Sequence, residues 1–180
     1  LFNVELILDR LEISQCLHDV VELGCGYGTF TLPVARRIAG RLHTFDIAAD
    51  MVARTIERAK TEKLGNIACE LRDVFLTGFG LPSESQDSCL LFNILHGEEP
   101  ISMLHDAARV VRSGGFVHVI HWRHDPATPR GPSLEIRPRP EQIAAWAAQT
   151  GQLVAVGPAL NLPPWHYGLR FRKNSTLSHP

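Results

Sequence analysis

Residues 20–35 read VVELGCGYGTFTLPVA, and the fold turns on them. The apolar run over 19–23 ends in a glycine cluster, as a strand buried on both faces does. Gly24, Gly26 and Gly28 follow at alternate positions. A helical stretch over 29–40 comes straight after, with Pro33 early enough to be tolerated and Gly40 as a stop. A strand, a glycine turn and a helix in that order let the backbone close tightly on a ligand at the helix N-terminus. The pattern is not the dinucleotide form GxGxxG, because Thr29 stands where the last glycine belongs. Glu22, inside the strand end, would repel a pyrophosphate and welcome an ammonium.

Outward from this turn the alternation continues. A second strand over 41–47 carries Asp46 near its end, where a ribose diol would lie. Asp50 caps a helix in which Val52, Ile56 and Ala59 share one face, and Gly65 ends it. Ile67, Cys69 and Leu71 alternate as a third strand should, with Asp73 just beyond. The mostly apolar stretch 88–95 is the candidate central strand. Ile101, Leu104, Ala108 and Val111 stripe a helix that Gly114 and Gly115 break, and 116–122 is a fifth strand. Residues 125–140 hold five prolines without periodicity and read as an ordered loop. A last helix over 140–151 leads to a hairpin-like pair at 153–160 and 167–173, and 5–13 reads as a lead-in helix. The sum is one α/β domain over 1–180: a doubly wound, mostly parallel seven-stranded sheet with an antiparallel last strand.

Composition narrows the partners. Eighteen basic and 19 acidic residues leave a net charge of -1, without the basic excess of a nucleic-acid binder. No apolar run approaches the ~20 residues of a membrane span, and no signal peptide opens the chain. The four cysteines are scattered with no CxxC pair, which argues against a disulfide framework and a cysteine zinc site and fits a reducing cytoplasm, with Cys69 and Cys89 as small core residues.

With these residues in view, the chain resembles the class I S-adenosylmethionine-dependent methyltransferases. Residues 20–35 look like their first motif, and 43–59 resemble the stretch after it. Residues 70–75 are similar to the adenine-contacting motif, 87–99 to the fourth-strand motif and 108–120 to the junction into strand five. The look is that of small bacterial members similar to quinone-biosynthesis methyltransferases. The resemblance implies S-adenosylmethionine as cofactor. It places Gly24, Cys25, Gly26 and Gly28 against the methionine half and Glu22 at its amino group. Asp46 would meet the ribose hydroxyls and Ile47 the adenine face. Asp73 would accept the adenine amino group and the Val74 N–H would meet a ring nitrogen. Asn93 and Ile94 would line the methyl-donating end.

The acceptor side is set by loops at the carboxyl ends of the strands. His96 follows the fourth strand and is the candidate general base, since its ordinary pKa of ~6.5 suits proton removal near neutrality. His121, Arg123, Trp165, His166 and Tyr167 are candidate contacts to a small-molecule acceptor. Arg123, Arg130, Arg137 and Arg139 offer forks for a carboxylate or phosphate. His118 and His121 fall on opposite faces of a strand, so no metal site is expected. The Asn/Asp-Pro-Pro-aromatic motif of many amino-methylating enzymes is absent, since Asn93-Ile94-Leu95-His96 stands there instead. Two other readings remain open from sequence: a non-catalytic cofactor-binding module and an NAD-dependent dehydrogenase. Neither the acceptor nor the oligomeric state is legible.

Overall fold

Strand β1 (Val20–Leu23) is buried at every residue and lies inside the sheet, beside its middle strand. It pairs in parallel with β2 (Leu42–Asp46) on one side and β4 (Gln86–Phe92) on the other. The computed structural model describes residues 3–174, so both ends of the single-domain reading, 1–2 and 175–180, lie outside the described residues. Beyond β2 comes β3 (Ile67–Leu71), and beyond β4 come β5 (Val111–Trp122) and then β8 (His166–Lys173), which runs antiparallel to β5. The order β3-β2-β1-β4-β5-β8 reverses between β1 and β4, and a crevice opens there at the strands' carboxyl ends.

Alternation along the strands divides the core in two. Val20, Leu90, Phe92 and Ile120 face one side, where α1 (Val4–Arg10) and α2 (Thr31–Arg37) bring Ile7, Leu8, Val34 and Ala35. Their neighbours Val21, Leu91 and Val119 face the other, under α5 (Pro100–Val110) and α6 (Pro140–Gln149). Truncating one of these fully buried leucines to alanine costs about 2–5 kcal/mol. Pro33 sits third in α2, where its missing N–H would have had no helical partner. No helix among the described residues is long and apolar enough to cross a membrane.

Several boundaries differ from the sequence reading, each for a local reason. Among the described residues the sheet has eight strands, because 153–162 splits into β6 (Leu153–Ala155) and β7 (Leu160–Leu162). Both pair with β8, and the break between them holds Gly157, at φ 72°, and Pro158. Helix α5 stops at Val110, and Val111 belongs to β5, opposite Gln86. In α3 (Ala49–Thr61) Asp50 lies inside the first turn and Ala48 is the cap, while Lys63 takes a left-handed conformation at φ 56° beyond its end. Cys69 is half-buried rather than core, since β3 is an edge strand, and Leu71 is exposed. A four-residue helix, α4 (Val74–Thr77), follows β3, where the sequence reading assigned no element.

Candidate functional site

The glycine turn is held open from below. Gly24, Gly26 and Gly28 all have positive φ, at 84°, 49° and 73°. The Gly26 N–H donates to Asp46 Oδ2 at 2.9 Å, and Thr55 Oγ1 donates to the Gly26 carbonyl at 3.1 Å. A Cβ placed on Gly26 would meet no protein atom within 4 Å, so the space over this residue is free for a ligand. A cavity of about 190 Å³ lies there, lined among others by Glu22, Gly24, Cys25, Tyr27, Phe30 and Asn93. Phe30 and Phe92 meet edge to face at 5.0 Å and wall it.

The two carboxylates of this half are committed to the protein, and Glu22 also lines the cavity. Glu22 is 2% exposed, and its Oε2 accepts from Thr31 Oγ1 at 2.6 Å and Thr44 Oγ1 at 2.8 Å. Burial pushes its pKa up to about 7, against those two hydrogen bonds. Asp46 Oδ1 accepts from the Ala48 N–H at 2.9 Å, so this side chain secures both the glycine turn and the entry to α3. Ile47 beyond it is 70% exposed, an apolar face suited to a planar ring. Asp73 is the N-cap of α4, its Oδ1 accepting from the Leu76 N–H at 3.2 Å, and Val74 opens the helix, buried. A larger cavity, about 560 Å³, lies away from the glycine turn and is lined by residues of α4 and α5.

Across the crevice the polar groups are left without partners. Asn93 follows β4 in a left-handed conformation at φ 59°, uncommon for a residue with a side chain, and its buried Oδ1 has no hydrogen-bond partner. Ile94 packs toward Gly24, where an added Cβ would stand 3.0 Å from its Cδ1. The His96 ring lies edge-on to His121, with centroids 5.5 Å apart. His96 Nδ1 and His121 Nε2 are buried and unpartnered. Burial lowers the His96 pKa and pushes that of His121 down to about 4, so both rings are neutral near pH 7. His96 also lines a cavity of about 280 Å³ with Glu98, Glu135, Gln142 and Trp146.

The outer candidates brace the loop over 123–139. Arg137 is 6% exposed, and its guanidinium donates to the carbonyls of Arg123 at 2.9 Å and Pro132 at 2.5 Å and to Thr128 Oγ1. The Tyr167 hydroxyl donates to Pro138 O at 2.8 Å. Arg123 bonds to the Asn161 side chain, and its N–H donates to the Trp165 carbonyl at 2.9 Å. His166 packs on Trp122 at 4.1 Å, and burial brings its pKa down to about 4. The turn 163–165 does lie at the carboxyl edge, since His166 pairs with Trp122. His118, on the opposite face of β5 from His121, borders a separate cavity with Phe116 and Arg170. Sequence reasoning missed the wall made by Phe30 and Phe92, although one follows the glycine turn and the other precedes Asn93. It also missed the inward turn of Arg137, for which a proline-rich loop carries no periodic signal.

Comparison with known proteins fits this geometry. The methyltransferase domain family matches residues 20–115. A phosphoethanolamine N-methyltransferase of Caenorhabditis elegans is 32% identical over 129 residues, 68% of this chain and 26% of that protein. A 23S rRNA (uracil-C(5))-methyltransferase of Alcanivorax borkumensis is 42% identical over 64 residues, 36% of this chain and 14% of that protein. The chain thus spans about a quarter or less of these relatives. The crystal structure of an S-adenosylmethionine-dependent methyltransferase from Aquifex aeolicus superposes with a TM-score of 0.85 at 18% identity, over 96% of this chain and 90% of that one. The chain belongs to the methyltransferase domain family and has the class I, S-adenosylmethionine-dependent fold.

Proposed function

We propose that this chain transfers a methyl group from S-adenosylmethionine to a small-molecule acceptor, with His96 taking the acceptor's proton. The observation that carries the reading is the left-handed glycine turn, tied to Asp46 and open to a cavity that Glu22 and Asn93 also reach. These residues fit the cofactor: an open backbone cradle, a carboxylate able to face an ammonium, and an orphaned amide oxygen. Gly24, Cys25, Gly26 and Gly28 would take the methionine half, with Glu22 at its amino group. Asp46 keeps lone pairs for the ribose hydroxyls beside its two backbone bonds, and Ile47 would lie on the adenine. Asp73 and the Val74 N–H would meet the adenine edge, with Asn93 and Ile94 at the methyl end. When bound, S-adenosylmethionine supplies a methyl already activated on a sulfonium.

The chain's own task is then alignment, exclusion of water and acceptance of a proton. His96 Nδ1 is the buried acceptor for that proton, and His121 holds the ring from its edge. His166 and Trp165 stand at the rim of the acceptor side, while Arg123 and Tyr167 shape its loop. The balanced net charge of -1 supports a small molecule over RNA, and the free cysteines fit the cytoplasm. Calorimetry with S-adenosylhomocysteine and NAD tests the cofactor, with binding expected for the first alone. Incubation with methyl-labelled S-adenosylmethionine and cell extract, split into small-molecule and RNA fractions, tests the acceptor. Label in the RNA would overturn the small-molecule reading, and label in neither fraction would favour a non-catalytic binding module.

A further inference from the structure

Cys25 and Cys69 come from the glycine turn and the edge strand β3, yet their sulfur atoms lie 3.8 Å apart. Both are free thiols. A disulfide bond is ~2.05 Å long, so joining them asks for roughly 1.8 Å of approach. The turn can supply that movement, because Cys25 is flanked by Gly24 and Gly26, whose positive φ values mark backbone free of side-chain restraint. Cys25 Sγ also lies 3.7 Å from Asp46 Oδ2, the oxygen that accepts from the Gly26 N–H. Movement of this sulfur therefore disturbs the bond that holds the turn open. The remaining cysteines are placed differently: Cys16 is exposed and Cys89 is sealed in the core.

We propose that Cys25 and Cys69 form a reversible disulfide site that draws the glycine turn toward β3 and opposes cofactor binding. The proposal rests on the assignment of that turn to the cofactor. The co-reactant is a small disulfide of the glutathione class. Cys69 is the more exposed of the two and reacts first. A hydrogen bond from the Cys25 thiol lowers the Cys69 pKa against burial and the nearby carboxylates of Glu22, Asp46 and Glu70. The Cys69 thiolate attacks one sulfur of the small disulfide, and the other sulfur leaves as a thiolate that takes a proton. The Cys25 thiolate then attacks Sγ of Cys69 and expels the second small thiol. The protein loses two electrons and two protons, and the oxidant is reduced to two thiols. Linkage requires reciprocity: whatever factor the disulfide removes from cofactor affinity, bound cofactor removes from the tendency to form the disulfide.

The test uses the full chain, in a Cys16→Ser background that prevents links between copies. The reduced protein is equilibrated with glutathione disulfide, alkylated with N-ethylmaleimide and weighed intact, and its peptides are mapped. The expected product has lost the mass of two hydrogens and carries a Cys25–Cys69 cross-link. Saturating S-adenosylhomocysteine should shift the thiol–disulfide equilibrium about tenfold toward the dithiol. Calorimetry should find S-adenosylhomocysteine bound about tenfold more weakly after oxidation, with affinity restored by dithiothreitol. Adding Cys69→Ser should leave affinity unchanged and insensitive to the oxidant. A cross-link without loss of affinity would overturn the proposal. So would Cys25 and Cys69 both remaining alkylatable in denatured protein after oxidation. Failure of the reduced protein to bind S-adenosylhomocysteine would instead remove the cofactor assignment, and it is seen before any oxidant is added.

Discussion

The β1–β3 half and the β4–β8 half of the carboxyl edge face one crevice but treat their polar groups in opposite ways. On the first side the carboxylates are paired within the chain: Glu22 with Thr31 and Thr44, Asp46 with the N–H groups of Gly26 and Ala48. On the second, Asn93 Oδ1, His96 Nδ1 and His121 Nε2 are buried with no partner. A buried polar atom left unsatisfied costs about 1–3 kcal/mol. The first half is therefore satisfied within the protein, while the second holds hydrogen-bonding capacity that the proposed cofactor, at Asn93, and the proposed acceptor, at His96, would take up.

The largest effect should break the second half. His96→Ala is expected to lower turnover roughly 10²–10⁴-fold with little change in S-adenosylhomocysteine affinity. The base must be neutral, so activity falls as pH drops through its pKa, and burial sets that acidic limb below the ordinary 6.5. The variant should lose the limb. Turnover close to the parent's with an unchanged profile would leave His96 a wall of the pocket.

Glu22 gives the next effect, in stability. Its pKa is about 7 when folded against 4.5 otherwise, so the folded state holds the proton more tightly. Stability is then fully present below pH 4.5 and falls as pH rises toward about 7. The loss amounts to roughly 3–4 kcal/mol by the rule of 1.36 kcal/mol per unit. Glu22→Gln should remove that slope in urea melts taken from pH 4.5 to 8. A variant with the same slope as the parent would refute the buried-carboxyl account.

Asp46→Ala should weaken S-adenosylhomocysteine binding by about 1.5–3 kcal/mol, since it removes a charged acceptor. The two backbone bonds it also loses predict a lower melting temperature. Asp46→Asn keeps an acceptor oxygen, so it should recover part of the stability while affinity stays low. Calorimetry showing parental affinity in both variants would remove Asp46 from the cofactor site.

These halves also differ in how far they could be read from sequence. Glu22, Gly24, Gly26, Gly28 and Asp46 sit on one turn and the strand beside it, where neighbours in sequence are neighbours in space. Their pattern therefore states their arrangement. The strand alternation was legible for the same reason, because period-two burial is local. What escaped depends on contacts that follow no period, within an irregular loop or between segments distant in sequence. Arg137 turns inward to carbonyls supplied by its own loop, Cys69 reaches Cys25 across β2, and β6 parts from β7 where Gly157 and Pro158 interrupt pairing with β8. Val111 carried a helical stripe in sequence, but pairing opposite Gln86 won it for β5.

The smallest effect asks whether Tyr167 belongs to the acceptor or to the loop. Its side chain is 5% exposed, its hydroxyl donates to Pro138 O at 2.8 Å, and its ring lies 6.3 Å from that of His121. Tyr167→Phe keeps the ring and removes one neutral hydrogen bond, worth about 1 kcal/mol. If the hydroxyl only braces the loop, the melting midpoint should fall modestly and hydrogen exchange should quicken over 123–139. Turnover should then stay within about threefold of the parent, because less than 1 kcal/mol of alignment is lost. Should the hydroxyl instead meet the acceptor, turnover or KM would change tenfold or more while exchange in the loop stayed as it was. That second outcome would move Tyr167 from the frame of the pocket to its interior, beside His121, and with it the boundary between the two halves.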